Sequence, residues 1–190
     1  MIWIVLLVII GLIAYVVITY NKLISNSEEV ETTKRQIDIQ LDRRFKVFEG
    51  LINTVRKVMD YEQTVLKDIV QMRSDAQSAR AKGDTVAQFD AEEKISQIAS
   101  QINVVFEQYP QLQAMHNAEQ LQEEIVSTEN KLSYAKQAYN DAINNYNVSK
   151  KSFFGSIIVS MFAKRLDHDY ERWQLNDAQI EQHEKYVAKL

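Results

Sequence analysis

Residues 2–19, IWIVLLVIIGLIAYVVIT, carry no charge, and no other feature limits the fold of this chain as strongly. These eighteen residues, at a helical rise of ~1.5 Å, extend roughly 27 Å, close to the hydrocarbon thickness of a bilayer. The run is apolar on every face, which suits a lipid-exposed helix better than a core helix with one apolar stripe. Ile2, Ile9, Ile13 and Val17 lie along it, with Trp3 and Tyr20 at its two ends, where amphipathic rings favour the headgroup region. A cleaved signal peptide fits poorly, because the segment lacks a basic start and an A-x-A-like site, and its apolar stretch is long. The expectation is a single-pass anchor. Only the terminal amine is positive before it, whereas Lys22, Lys34 and Arg35 follow it. This asymmetry points to an N-out orientation at the cell (inner) membrane with the body in the cytoplasm; a periplasmic or extracellular body is the alternative.

Beyond Tyr20 the scarcity of turn residues decides the class. The chain has four glycines and one proline in 190 residues, too few for the corners of a β-fold. Apolar residues recur by threes and fours through Leu41, Phe48, Leu51, Val55, Val58, Val65, Ile69, Met72 and Ala76. Two charged residues, Arg44 and Glu62, interrupt this coiled-coil-like seam. Lys82-Gly83-Asp84 reads as a helix stop, with glycine suited to a left-handed cap. A second seam runs through Ala91, Ile95, Ile98, Ile102, Val105 and Tyr109 to Pro110. A third runs from Leu112 through Ile125, Leu132, Ala135, Tyr139 and Ala142 to Tyr146, and Lys150-Lys151-Ser152 and Gly155 mark another boundary. In the tail, Leu166, Tyr170, Trp173, Ile180 and Val187 fall on one loose helical face.

These patterns predict an all-α chain: an N-terminal transmembrane helix, then an elongated antiparallel coiled-coil-like helical bundle of three to four helices. Its divisions are an anchor at 1–22, a long bundle at 23–150 and a C-terminal amphipathic helical segment at 151–190. Pro110 leaves two topologies open. It either caps a new helix or only kinks a long return helix, and the kink brings position 150 back beside the membrane.

Arg44 and Glu62 are separated by ~27 Å along one helix and cannot pair with each other. Each needs a partner on a neighbouring helix, where a buried ionic contact fixes register. The candidates for Arg44 are Asp141, Tyr139 and Asn140; for Glu62 they are Asn130 and Lys131. No metal site is expected. The chain has no cysteine, and His116, His168 and His183 are preceded three positions earlier by Gln113, Arg165 and Ile180 rather than glutamate. No phosphate-binding loop, nucleophile elbow or zinc-protease helix occurs, so neither a cofactor nor a small-molecule substrate is expected. The net charge of −4 is well mixed, which speaks against a nucleic-acid partner.

Several blocks are familiar as an ordered set. They are Tyr20-Asn21-Lys22-Leu23, the stretch from Gln36 to Arg44 (QIDIQLDRR), and Tyr109-Pro110-Gln111-Leu112-Gln113-Ala114. Leu121-Gln122-Glu123-Glu124-Ile125, Thr128-Glu129-Asn130, Ala138-Tyr139-Asn140-Asp141-Ala142 and Tyr146-Asn147 complete it. Together, over residues 15–147, they resemble the LemA family. The resemblance implies a bacterial-type membrane-anchored protein with a helical-bundle body and no established enzymatic activity. This chain departs from it at Glu49-Gly50, where the family usually has Pro-Asn, and at Lys151-Ser152-Phe153-Phe154, which replaces a Phe-Pro segment.

Phe153, Phe154, Ile157, Ile158, Met161 and Phe162 fall on one face of a helix too short to span, flanked by Lys150-Lys151 and Lys164-Arg165. Three readings stand: a core helix closing the bundle, an interfacial helix in the headgroups, and a contact with a second copy. The functional expectation is a non-enzymatic membrane-anchored scaffold that self-assembles as a homo-oligomer or presents a helical face to other membrane proteins. The alternative is a lipid-interacting or membrane-remodelling protein with a second interfacial contact at 153–162.

Overall fold

The computed structural model describes residues 1–56, 63–108 and 116–174. Glu62 and Pro110 lie outside them, as do Ile180 and Val187, and the side chains at 51–70, 73 and 97–119 are likewise outside the described set. The described elements are all helical: α1 (Ile2–Arg56), α2 (Gln63–Ala81), α3 (Thr85–Gln108), α4 (His116–Lys151), α5 (Phe153–Met161) and α6 (Ala163–Leu166). The N-terminal apolar helix packs against other helices in a bundle, as the patterning predicts. The chain divides into two compact units.

The first unit joins Met1–Ile39 to Tyr134–Arg172. Side chains from Ile2 to Ile18 are exposed throughout, and burial begins where the charge-free run ends. Leu23, Val30 and Ile37 are buried at successive seven-residue steps, the spacing that keeps one helical edge against a partner. Removing each from water contributes about 1.5–3 kcal/mol. Apart from Ile24, the half-buried positions between them are polar. Asn26 donates from Nδ2 to Ser149 Oγ at 2.8 Å, and Ser27 and Tyr170 share a 2.8 Å hydroxyl hydrogen bond. On α4, Ala135, Tyr139, Ala142, Ile143 and Tyr146 are buried. Asn26 of α1 meets Asn145 and Ser149 of α4, and Glu31 acts on Tyr139, so within this unit the two helices run antiparallel.

α4 stops at Lys151 because Ser152 turns to extended backbone and caps α5: its Oγ accepts from the Gly155 N–H at 3.2 Å. Gly155 lies directly against the Ser149 carbonyl, leaving no room for a Cβ. The expected boundary at Lys150-Lys151-Ser152 and Gly155 is therefore present, with a physical cause.

The C-terminal segment differs from the expected amphipathic helix. α5 and α6 are helical, but residues 167–174 are irregular and run as a strap. The reason lies on α4, whose Tyr139, Tyr146 and Lys150 form a stripe along one side. Tyr146 donates its hydroxyl to the Leu166 carbonyl and accepts the His168 N–H at 3.1 Å; Lys150 donates to the His168 carbonyl at 2.9 Å. Tyr139 donates to the Glu171 carbonyl at 2.9 Å. These side chains take the carbonyls that a helix would use for itself.

The second unit comprises Gln40–Ser133 and Trp173–Leu190. α2 and α3 pack against each other as a helical hairpin. Its turn is the expected Lys82-Gly83-Asp84: Gly83 has φ 73°, its N–H reaches Arg80 O at 3.0 Å, and the Asp84 N–H reaches Ala79 O at 2.9 Å. Asp84 then caps α3 by accepting from the Ala87 N–H at 3.0 Å. Val47, Phe48, Ala76, Ala79, Phe89, Ile95, Ile125 and Leu132 supply the apolar interior. Trp173 is buried with its ring stacked on Phe89, centroids 3.9 Å apart.

Candidate functional site: the anchor end and the buried arginine

Arg44 sits in the apolar seam of α1 and is 3% exposed. A buried guanidinium must be paired and hydrogen-bonded, because the isolated charge costs several kcal/mol to desolvate. α3 supplies what it needs. Arg44 Nη2 pairs with the buried Glu92 carboxylate, and Nη1 donates to Ser96 Oγ at 2.7 Å. From α4, Glu129 Oε1 approaches Nη1 to 3.5 Å, an ion-pair distance rather than a hydrogen bond. Beside it the exposed pair Arg43–Glu124 repeats the α1–α4 connection at 3.3 Å.

The partners of Arg44 are therefore not the expected ones. Asp141 is exposed, Asn140 is half-buried, and Tyr139 donates to the strap of the first unit. The antiparallel register sets residues 43–44 against 124–129, more than a helical turn away from 139–141. Asn130 is exposed, and its proposed partner Glu62 lies outside the described residues. Sequence reasoning missed Glu92 because it falls beside Ala91 in the seam and reads as an exposed neighbour. Its signal was the Gln88–Glu92–Ile95 spacing, which places all three on one helical face.

The strap site has its own electrostatics. Burial pushes the Tyr139 hydroxyl up to about 12, helped by the negative charge of Glu31 and by Tyr170 and Glu171. Burial likewise raises Tyr170, opposed by its hydrogen bond with Ser27. The Lys150 ammonium is raised chiefly by its hydrogen bond to Asp167, at 2.5 Å. These shifts hold the phenols neutral and the lysine charged, which suits hydrogen-bond donors and not proton-transfer groups at neutral pH. Among the described residues, no cluster of three or more His, Asp or Glu is arranged to hold a metal ion.

At the anchor end, Ile2, Trp3, Ile9, Ile13 and Val17 are exposed and Tyr20 is half-buried. Tyr20 joins Leu23, Ile24, Ile158, Val159 and Leu166 in one apolar cluster. Two ring contacts tie α5 to α1: Phe154 meets Tyr15 edge-on at 4.7 Å, and Phe162 meets Tyr20 edge-on at 5.1 Å. Ile158 is buried, while Phe153, Phe154, Ile157, Met161 and Phe162 are exposed. The six predicted contact residues thus split between a side packed on α1 and a side that faces outward.

The LemA family model matches residues 33–185, the greater part of the chain. The chain belongs to the LemA family. The match begins after Tyr20-Asn21-Lys22-Leu23 and runs well past Asn147, so the strap and the α5 region fall within the LemA extent, beyond the resemblance at 15–147. No curated protein matches the chain. In this LemA protein, one N-terminal helix is long and apolar enough to cross a membrane, with none of its apolar window buried.

Proposed function

We infer that this LemA protein is a non-enzymatic scaffold, anchored in the cell (inner) membrane with its body in the cytoplasm. It assembles with further copies or presents a helical face to other membrane proteins. One observation carries the reading: the exposed apolar segment and the first bundle helix are a single uninterrupted helix, from Ile2 past Ile37. An anchor built in this way transmits position and tilt from the bilayer to the body, where a flexible linker would transmit neither. The buried polar groups also favour structural work. Arg44 is occupied by Glu92, Glu129 and Ser96, Tyr139 by the Glu171 carbonyl and Tyr146 by the Leu166 carbonyl. Basic residues on the body side of the anchor, Lys22, Lys34 and Arg35, support the cytoplasmic placement.

Crosslinking and native mass spectrometry of the full chain in detergent test the scaffold. Oligomers or a stoichiometric membrane partner are expected; a strictly monomeric protein without a partner contradicts it.

A second reading, a lipid-interacting or membrane-remodelling protein, is favoured by the outward apolar side of α5. Reconstitution into vesicles followed by electron microscopy tests remodelling. Protein-dependent tubulation or fission supports it, and unchanged vesicles at high protein density refute it.

A further inference from the structure

We propose that α5 is an interfacial helix inserted into the same leaflet that receives the body end of the anchor, with Lys151, Lys164 and Arg165 directed at anionic headgroups. The idea deepens the lipid-interacting reading and rests on residues 2–19 spanning the bilayer.

Three observations converge on it. The first is continuity. Tyr15 lies inside the charge-free run, four residues before its end, and Phe154 packs on its ring. Four residues correspond to about 6 Å along a helix, so Phe154 reaches below the level at which the apolar run ends. The second is exposure. Phe153, Ile157 and Met161 are 74%, 45% and 68% exposed, on a nine-residue helix whose other side is sealed on Leu23. Large apolar side chains so exposed on consecutive turns mark a contact surface, and this one is continuous with the bare apolar surface of α1. The third is charge. Lys151 precedes α5, Lys164 and Arg165 follow it in α6, and all three are exposed, while Lys150 is engaged by Asp167. Basic groups bordering a short apolar helix are what an anionic interface attracts.

The two ring contacts also set an inclination. Phe154, near the start of α5, meets Tyr15, whereas Phe162, just past its end, meets Tyr20, so the start of α5 lies against the part of α1 further inside the apolar run. With the anchor upright, the α5 axis tips so that Phe153 lies deeper than Met161. Lys151, next to the deep end, reaches the headgroups by extending its aliphatic stem.

The chain has no cysteine, so single cysteines introduced into the full-length protein carry a spin label without background. Labels at Phe153→Cys, Ile157→Cys and Met161→Cys are compared with Ile9→Cys in the anchor and Tyr134→Cys, an exposed site about 25 Å up α4 from Lys151. The protein is reconstituted in nanodiscs of phosphatidylcholine, with and without phosphatidylglycerol, and collision with oxygen and with a water-soluble nickel chelate is measured. The expected result is strong oxygen and weak nickel contact at the three α5 labels, deepest at 153, and the reverse at 134. Adding phosphatidylglycerol lowers nickel contact at the α5 labels, and the triple variant Lys151→Gln, Lys164→Gln, Arg165→Gln abolishes that change. If 153, 157 and 161 resemble 134 while 9 stays in lipid, the inference is overturned and the anchor stands. If 9 is also open to nickel, the anchor reading falls with it. Dipolar coupling between α5 labels, with protection from both reagents, assigns the surface to a second copy and overturns the lipid assignment. Indifference to phosphatidylglycerol overturns the headgroup contact.

Discussion

The two units bury polar atoms by opposite means. In the second, a full charge is taken into the core: Arg44 is ringed by Glu92, Glu129 and Ser96, contributed by two other helices. In the first, the buried donors are chiefly phenols, and they hold the backbone at the end of α6 and along the non-helical strap. The difference teaches what each arrangement is suited to. A buried ion pair adds little net stability over apolar packing, yet removing one partner is severely destabilising, so it selects one helix register. A neutral hydroxyl to a carbonyl adds about 1 kcal/mol and tolerates loss, which suits a segment that needs only to be held in place.

The largest expected effect breaks the charged side of this contrast. Arg44→Ala strands Glu92 in the core and should cost about 3–5 kcal/mol, read as a fall in thermal midpoint of the full chain in detergent. Hydrogen exchange should place the loss in α2, α3 and the facing part of α4. Tyr146→Phe comes next. It removes a donor to Leu166 and an acceptor for His168, and should cost about 2 kcal/mol, with exchange rising in 163–170 and not in the α2–α3 hairpin.

Tyr139→Phe should cost about 1 kcal/mol and change the alkaline limb. A phenol whose folded value is raised to about 12 from 10.0 contributes stability that is fully present below 10.0 and lost as pH climbs toward 12. Tyr170 and Lys150, both raised, act in the same direction. A pH titration of the unfolding midpoint should therefore be flat from neutral pH to about 10 and fall above it, less steeply in Tyr139→Phe. The smallest effect is Ser27→Ala, about 0.5 kcal/mol, since the Tyr170 hydroxyl it leaves is only part-buried.

The same contrast explains what could be read from the sequence. The long, exposed apolar helix at the N-terminus was legible because eighteen uncharged residues need no knowledge of a partner. The α2–α3 stop was legible because glycine's left-handed φ and the Asp84 cap are local. The seam at Leu23, Val30 and Ile37 was not recognised, because the half-buried positions beside it include Asn26, Ser27, Thr33 and Lys34, and the heptad from Val30 to Gln36 holds a single apolar residue. Arg44 was legible as a buried charge, but its partner Glu92 is 48 residues away, and that choice depends on register. The tail misled for a related reason. Leu166, Tyr170 and Trp173 have helical spacing, and Leu166 and Trp173 are buried, but long-range donors from α4 captured the backbone and overrode the local pattern.

The central claim is that the buried polar groups of this LemA protein hold its helices in register. A double-mutant cycle on the full chain with Arg44→Met, Glu92→Leu and the pair tests it most directly. The account predicts that each single change is strongly destabilising and that the pair recovers about 2 kcal/mol or more relative to their sum, with the bundle's exchange pattern intact. Additivity within about 0.5 kcal/mol would contradict it.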